Sequence, residues 1–166
     1  MILTIFLAIV FCASVTLMLL SAVAFIQDKR LFSSAPKEAR EVIKPRDNEL
    51  FYGAKIIGRV LMVISILMIL GVGAVSIVDG LKNRFTFCQF FFRFVFIFTV
   101  YKVYDMIFFD YFLLMRFSFF QYYYPEVGSV YPPKKYGFNI QSQLLKLIII
   151  FPAASAFAAW ICTLLR

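Results

Sequence analysis

A strongly aromatic stretch that covers residues 85–115 contains four charged side chains, of which Lys102, Asp105 and Asp110 lie well inside it and Arg93 lies nearer its start. Ionised groups in a lipid-facing segment are costly, so they usually have partners or a task such as ion or proton passage. Two carboxylates and an ammonium group can also exchange protons. These residues are therefore the candidate intramembrane polar site.

Other chemistry has little support in the chain. There is no His, and the three cysteines, Cys12, Cys88 and Cys162, match no zinc or thiol-redox spacing. No Gly-rich phosphate loop and no obvious nucleophile is present. The sequence predicts no catalytic residue, no metal and no cofactor.

Helical spacing arranges the polar site on one broad side of a helix. Lys102 and Asp105 are three residues apart, so they can pair directly. Asp110 follows Lys102 by eight residues, which is roughly 80° around an α-helix. Tyr101 and Tyr104 flank the group and could hydrogen-bond to it. These five side chains form the predicted site.

Two arginines are expected to anchor this helix at the membrane interfaces. Arg93 lies opposite the polar site near the outer interface, where a long side chain can extend to the headgroups. Arg116 marks the cytoplasmic edge.

Three interpretations of the polar site stay open. It is a structural ion pair that fixes helix register, a site for ion, proton or solute passage, or part of an intramembrane enzyme or of a docking site for another protein's span. The enzyme has the least support, because nothing supplies a nucleophile, a cofactor loop or a metal set.

Composition predicts an all-α integral membrane protein that positions this site. The chain is 63% hydrophobic, 19% aromatic and only 16% charged, which is unlike soluble domains. A helix needs about 20 apolar residues to cross the hydrocarbon core. We expect a small bundle of four transmembrane helices in a single membrane domain, residues 1–166, with spans at residues 2–26, 56–78, 94–115 and 144–165.

The third span is predicted to insert only marginally by itself. In residues 94–113 twelve Leu, Ile, Val and Phe side chains contribute about −4 to −7 kcal/mol. Lys102 and Asp105 oppose this by about 5 to 7 kcal/mol if both are ionised near the centre. This span should depend on its neighbours or on its internal charge pair.

The distribution of Lys and Arg predicts the topology. Residues 27–55 contain seven and residues 116–146 contain four, whereas residues 79–93 and the two termini together contain four. The loops at 27–55 and 116–143 are therefore expected in the cytoplasm and both termini outside. Asp28-Lys29-Arg30 after the first span indicates an uncleaved span. The net charge of +8 indicates contact with anionic lipid rather than nucleic acid.

Small residues and the loops add further expectations. Gly71 and Gly73 are expected to mark a close helix crossing. The helix predicted at Pro36–Lys44 is either a solvated connector or a surface for membrane or partner. The aromatic third loop is either an interfacial belt or folds back under the bundle. Two small-residue pairs in the last span should pack inside the bundle: Ala154 with Ala158, and Ser155 with Ala159.

Residues 104–110 form one short pattern, and residues 130–131 with 135–138 form a second. Together these patterns resemble uncharacterised small four-span bacterial membrane proteins. The resemblance implies that Asp105 and Asp110 act as a unit, and it favours a bacterial cytoplasmic membrane. This chain departs from that group at Tyr111, where relatives often have Trp, and it lacks a His that some place before the last span. The patterns are Tyr104-Asp105-Met106-Ile107-Phe108-Phe109-Asp110, then Val130-Tyr131 with Lys135-Tyr136-Gly137-Phe138.

The sequence therefore favours a non-enzymatic small membrane subunit or scaffold. Its main alternative is an ion, proton or small-solute conduit that uses the charged third span, and an intramembrane enzyme ranks third. The expected partners are membrane lipids, and either other membrane proteins or further copies of the chain.

Overall fold

The chain is all-helical wherever its structure is described. The computed structural model describes residues 1–28, 31, 41–44, 49–129 and 140–165, and no strand occurs among them. Most of the predicted helix at Pro36–Lys44 lies outside these residues, as does the segment 130–138 that carries part of the family resemblance.

Four long helices and one short helix form the bundle, and residues 41–42 in the first loop are also helical. Three of the long helices are α-helical in part and π-helical in part, with backbone bonds that reach back five residues instead of four. Helix α1 covers Ile2–Leu20 and, as π-helix, Ser21–Ile26; α2 covers Ala54–Lys82; α3 covers Phe87–Tyr104 and, as π-helix, Asp105–Arg116; α4 covers Phe119–Tyr123 and precedes a 3-10 turn at Pro125–Ser129; α5 covers Ile140–Leu145, the π-helical Lys146–Ile150 and Phe151–Leu164.

Three of these helices are long and apolar enough to cross a membrane. They are Ile2–Ile26, Ala54–Lys82 and, within α5, Ser142–Leu164. The buried serines of α1 and α2 do not disturb these helices, because each hydroxyl bonds to its own helix: Ser76 donates to the carbonyl of Val72 at 2.7 Å. The remaining long helix, α3, carries the charged site.

Local sequence sets the starts of α2 and α3. Gly53 precedes α2 with φ +86°, a left-handed conformation that favours glycine, and its N–H donates to the carboxylate of Glu49 at 2.8 Å. At the start of α3 the N–H of Thr86 donates to the side chain of Gln89 at 2.8 Å. We call the end of the bundle at the turn 83–86 the hairpin end, and the opposite end the loop end.

Helix α3 lies between α1 and α5, and α2 packs against α1. The pairs α1–α2 and α3–α5 are antiparallel, whereas α1 and α3 run parallel, with Leu7 beside Ile97 and Thr16 beside Tyr104. Three buried clusters follow one another along the bundle. The cluster at the hairpin end joins α3 to α5, the middle cluster joins α1, α2 and α3, and the cluster at the loop end joins α1 to both loops. Their residues are Phe90, Phe94, Ala159 and Cys162; Leu7, Ala8, Val72 and Ile97; and Val23, Ile43, Tyr124 and Val127.

The prediction that Gly71 and Gly73 mark a close helix crossing is wrong, because the close contacts occur at other glycines. A Cβ added at Gly71 or Gly73 meets nothing within 4 Å. The close approaches are at Gly58, where an added Cβ would lie 2.7 Å from the Cβ of Phe25, and at Gly80, where it would overlap the ring of Phe90. Sequence shows that a glycine is present but not what faces it.

Of the two predicted small-residue pairs in α5, the pair formed by Ser155 and Ala159 is completely buried. Ala159 packs in the cluster with Phe90 of α3. Ala154 instead is exposed. Small residues on one stripe therefore let α5 approach α3 closely, as expected where helix contact in lipid depends on packing.

We expect Gly58→Ala and Gly80→Ala to destabilise the protein, each by about 1–3 kcal/mol, because the methyl group has no space. Gly71→Ala is the matched control, and higher helix propensity should leave it neutral or stabilised by about 0.5–1 kcal/mol. Thermal unfolding in detergent measures all three. Equal loss of stability in Gly71→Ala would contradict the packing described.

Candidate functional site

The centre of α3 holds a buried ion pair. Lys102 lies midway along residues 87–116, and only 5% of it is exposed. Its Nζ is 2.5 Å from Oδ2 of Asp105, three residues further along the same helical face. The predicted partners are thus together, and the pair lies inside the bundle, where an unpaired charge would be costly.

Asp110 reaches the same side of α3 because the helix widens. Asp105 begins the π-helical segment, and the N–H of Phe117 still bonds to the carbonyl of Phe112, five residues back, at 2.8 Å. Residues five apart are roughly 140° apart in an α-helix, and this angle becomes much smaller when each backbone bond spans five residues. The winding therefore places the two carboxylates on one face.

The neighbouring helices supply hydrogen bonds to this face. Nε2 of Gln143 in α5 donates to Oδ2 of Asp110 at 3.1 Å. The hydroxyls of Thr16 in α1 and Tyr104 lie 2.9 Å apart. Because the Thr16 hydroxyl donates its one hydrogen to the carbonyl of Cys12 at 2.9 Å, Tyr104 is the donor to Thr16.

Tyr101 contributes packing to the site. Its ring makes an edge contact with Phe11 of α1, with centroids 5.1 Å apart, and also contacts Phe151 of α5. The ring therefore helps to hold α3 between its two neighbours, next to the ion pair.

Arg93 is buried in the bundle, in contrast to the expected extension towards the headgroups. Its Nη1 is 2.8 Å from Oδ2 of Asp79 and donates to the carbonyl of Ser76 at 3.1 Å. The guanidinium also lies over the ring of Phe85, 4.3 Å from its centroid. Asn83 donates to the other carboxylate oxygen of Asp79 at 3.0 Å. This cluster joins α2 to α3 at the hairpin end.

Arg116 is exposed at the end of α3. The chain then reverses and α4 packs under α1. Tyr124 is completely buried against Val23. The carboxylate of Glu126 accepts a hydrogen bond from the N–H of Lys44 at 3.2 Å, so the third loop also contacts the first. The start of the aromatic loop thus folds back under the bundle.

Sequence reasoning missed Thr16, Asp79 and Gln143. Thr16 and Gln143 each give one weak signal, a polar residue inside or beside an apolar stretch. The signal for Asp79 was stronger, because a short turn between antiparallel helices brings residues near their adjoining ends to similar depths. Arg93 and Asp79 could have been paired on that ground.

Among the described residues, no group of three or more His, Cys, Asp or Glu is placed to hold a metal ion. No family model matches the chain, and neither a curated protein nor a solved structure matches it. The arrangement of the site itself therefore carries the functional argument.

We expect Lys102→Met to cost about 3–5 kcal/mol of stability, because it leaves the carboxylate of Asp105 in the bundle without its cation. The double variant Lys102→Met/Asp105→Leu should recover most of this loss, since both charges are then gone. The free energies of unfolding of the wild type and the two variants, measured in detergent, test this expectation. A double variant as unstable as the single one would show that the pair is not the reason for the loss.

Proposed function

We propose that the chain is a four-span protein of the bacterial cytoplasmic membrane, with both termini outside, that acts as a non-enzymatic membrane subunit or scaffold. Three helices meet the length and hydropathy expected of spans, and α3 lies between two of them. Internal pairing offsets the cost that made its insertion marginal. The Lys and Arg distribution supports the orientation, and the family resemblance supports the bacterial membrane.

One observation supports the scaffold above all: charged side chains along α3 have partners within the protein. Lys102 pairs with Asp105, and Arg93 pairs with Asp79. The cation of each pair is buried and is neutralised by a carboxylate of the protein itself rather than by an external ligand. This is the arrangement expected of groups that fix how the helices pack.

A conduit is the second candidate, and Asp110 is the residue that favours it. Asp110 is only partly buried, and its hydrogen-bond partner among the described residues is the neutral amide of Gln143 rather than a cation. Intramembrane carboxylates of this kind serve in ion and proton pathways.

Flux through liposomes distinguishes the two functions. A scaffold predicts that purified protein gives no more proton flux under a pH gradient than empty liposomes, and that Asp105→Asn and Asp110→Asn leave this background unchanged. Flux that the wild type supports and that either variant abolishes, with insertion unchanged, would overturn the scaffold. Recovery of one reproducible membrane partner with the tagged protein from native membrane, at constant stoichiometry, is the positive result expected of a subunit.

Cys88 tests the topology, because it is exposed beside the turn 83–86, whereas Cys12 and Cys162 are buried. We expect a membrane-impermeant thiol reagent to label Cys88 in intact spheroplasts and to lose this label in Cys88→Ser. Glu41→Cys in the Cys88→Ser background should react only after permeabilisation. The reverse pattern would invert the proposed orientation.

A further inference from the structure

Asp110 differs from the two other carboxylates that border α3. Asp79 and Asp105 each contact a buried cation, so protonating either one would leave that cation without its counter-charge. Asp110 contacts an amide, through the hydrogen bond from Gln143 Nε2. Protonation of Asp110 therefore breaks no ion pair.

The amide of Gln143 has an unused group on its other side. Its Oε1 is buried and has no hydrogen-bond partner among the described residues. A buried acceptor without a donor is destabilising, so a state of the protein that supplies a donor to it is favoured. A glutamine amide carries both a donor and an acceptor, and a protonated carboxyl is a donor. If the amide turns over, Oε1 can accept from a protonated Asp110.

We propose that Asp110 and Gln143 form a proton-binding site between α3 and α5. With Asp110 ionised, the amide N–H of Gln143 donates to the carboxylate, as in this structure. When one proton adds to a carboxylate oxygen, the new O–H donates to Oε1 of the turned amide. The α3–α5 contact is kept in both states, and only the charge and the direction of the hydrogen bond change.

The surrounding charges belong to the two helices that form the site. Asp105 and Lys102 face Asp110 from α3, and Lys146 faces it from α5. The sequence of α1 over Ile2–Ile26 contains no charged residue. Proton uptake at Asp110 therefore changes the charge beside the Lys102–Asp105 pair. The inference goes beyond the scaffold function and does not rest on it.

Infrared difference spectroscopy of the full chain in lipid nanodiscs tests the site. We expect a carboxylic C=O band to grow as the pH falls from about 8 to about 4, a range that ends near the ordinary carboxyl value. Asp110→Asn should remove one component of this band, and Gln143→Leu should shift the frequency of the same component. Glu41→Gln is the control, because this variant removes a carboxyl outside α3 and α5 and should leave the Asp110 component and its dependence on Gln143 unchanged.

Two outcomes would overturn the inference. One is a spectrum of Asp110→Asn that titrates like the wild type, which would mean that Asp110 takes up no proton in this range. The other is a band whose frequency is the same in Gln143→Leu and in the wild type, which would show that the protonated carboxyl does not bond to the amide of Gln143. The second comparison keeps Asp110 unchanged, so it stands even if Asp110→Asn does not fold. Loss of the proton site would leave the scaffold proposal intact.

Discussion

The bundle depends on how the ionisable groups of α3 are neutralised, because Arg93, Lys102, Asp105 and Asp110 are wholly or partly buried and a buried charge without a partner is costly. The ionisable groups find their partners in three different places. Lys102 and Asp105 satisfy one another within a single helical face, Arg93 pairs with Asp79 of α2, and Asp110 bonds to Gln143 of α5. These contacts require α3 to reach α2 at one end and α5 at the other. The central position of α3 follows from its charges as much as from its aromatic surface.

Widening of α3 is the second condition for this arrangement. In a regular α-helix Asp105 and Asp110 would lie roughly 140° apart, at the two edges of the broad polar side predicted from the sequence. The π-helical winding from Asp105 onwards turns both inward, while the ring of Tyr104 stacks on Phe108 at 5.0 Å and covers the start of the wider turn. The π-helical segments of α1 and α5 also lie towards the loop end. The hairpin half, in contrast, is regular, with Gly80 against Phe90.

Sequence could predict the parts of this structure that depend on composition and short-range spacing. The all-helical class and the pairing of Lys102 with Asp105 follow from apolar blocks and from a three-residue interval. The π-helical winding could not be read, because hydrophobic periodicity does not reveal whether a backbone bond spans four or five residues. The contacts of Asp110 with Gln143 and of Tyr104 with Thr16 depend on helix order and rotation, which only packing determines. For the same reason the sequence could not show that Gly58, rather than Gly71, lies at a close contact between helices.

Internal pairing also defines what the outer surface can do. The stretches Val60–Val78 of α2 and Ile148–Leu165 of α5 contain no charged residue, and each exposes large apolar side chains such as Leu67 and Trp160. Because the charges of α3 are used inside the bundle, another span that docks on either outer helix must be recognised by shape and close packing rather than by ion pairing. Asp110 is the exception to this separation. Because its partner is the neutral amide of Gln143, protonation of Asp110 would break no ion pair. It would change the electrostatic potential at the Lys102–Asp105 pair in the centre of α3.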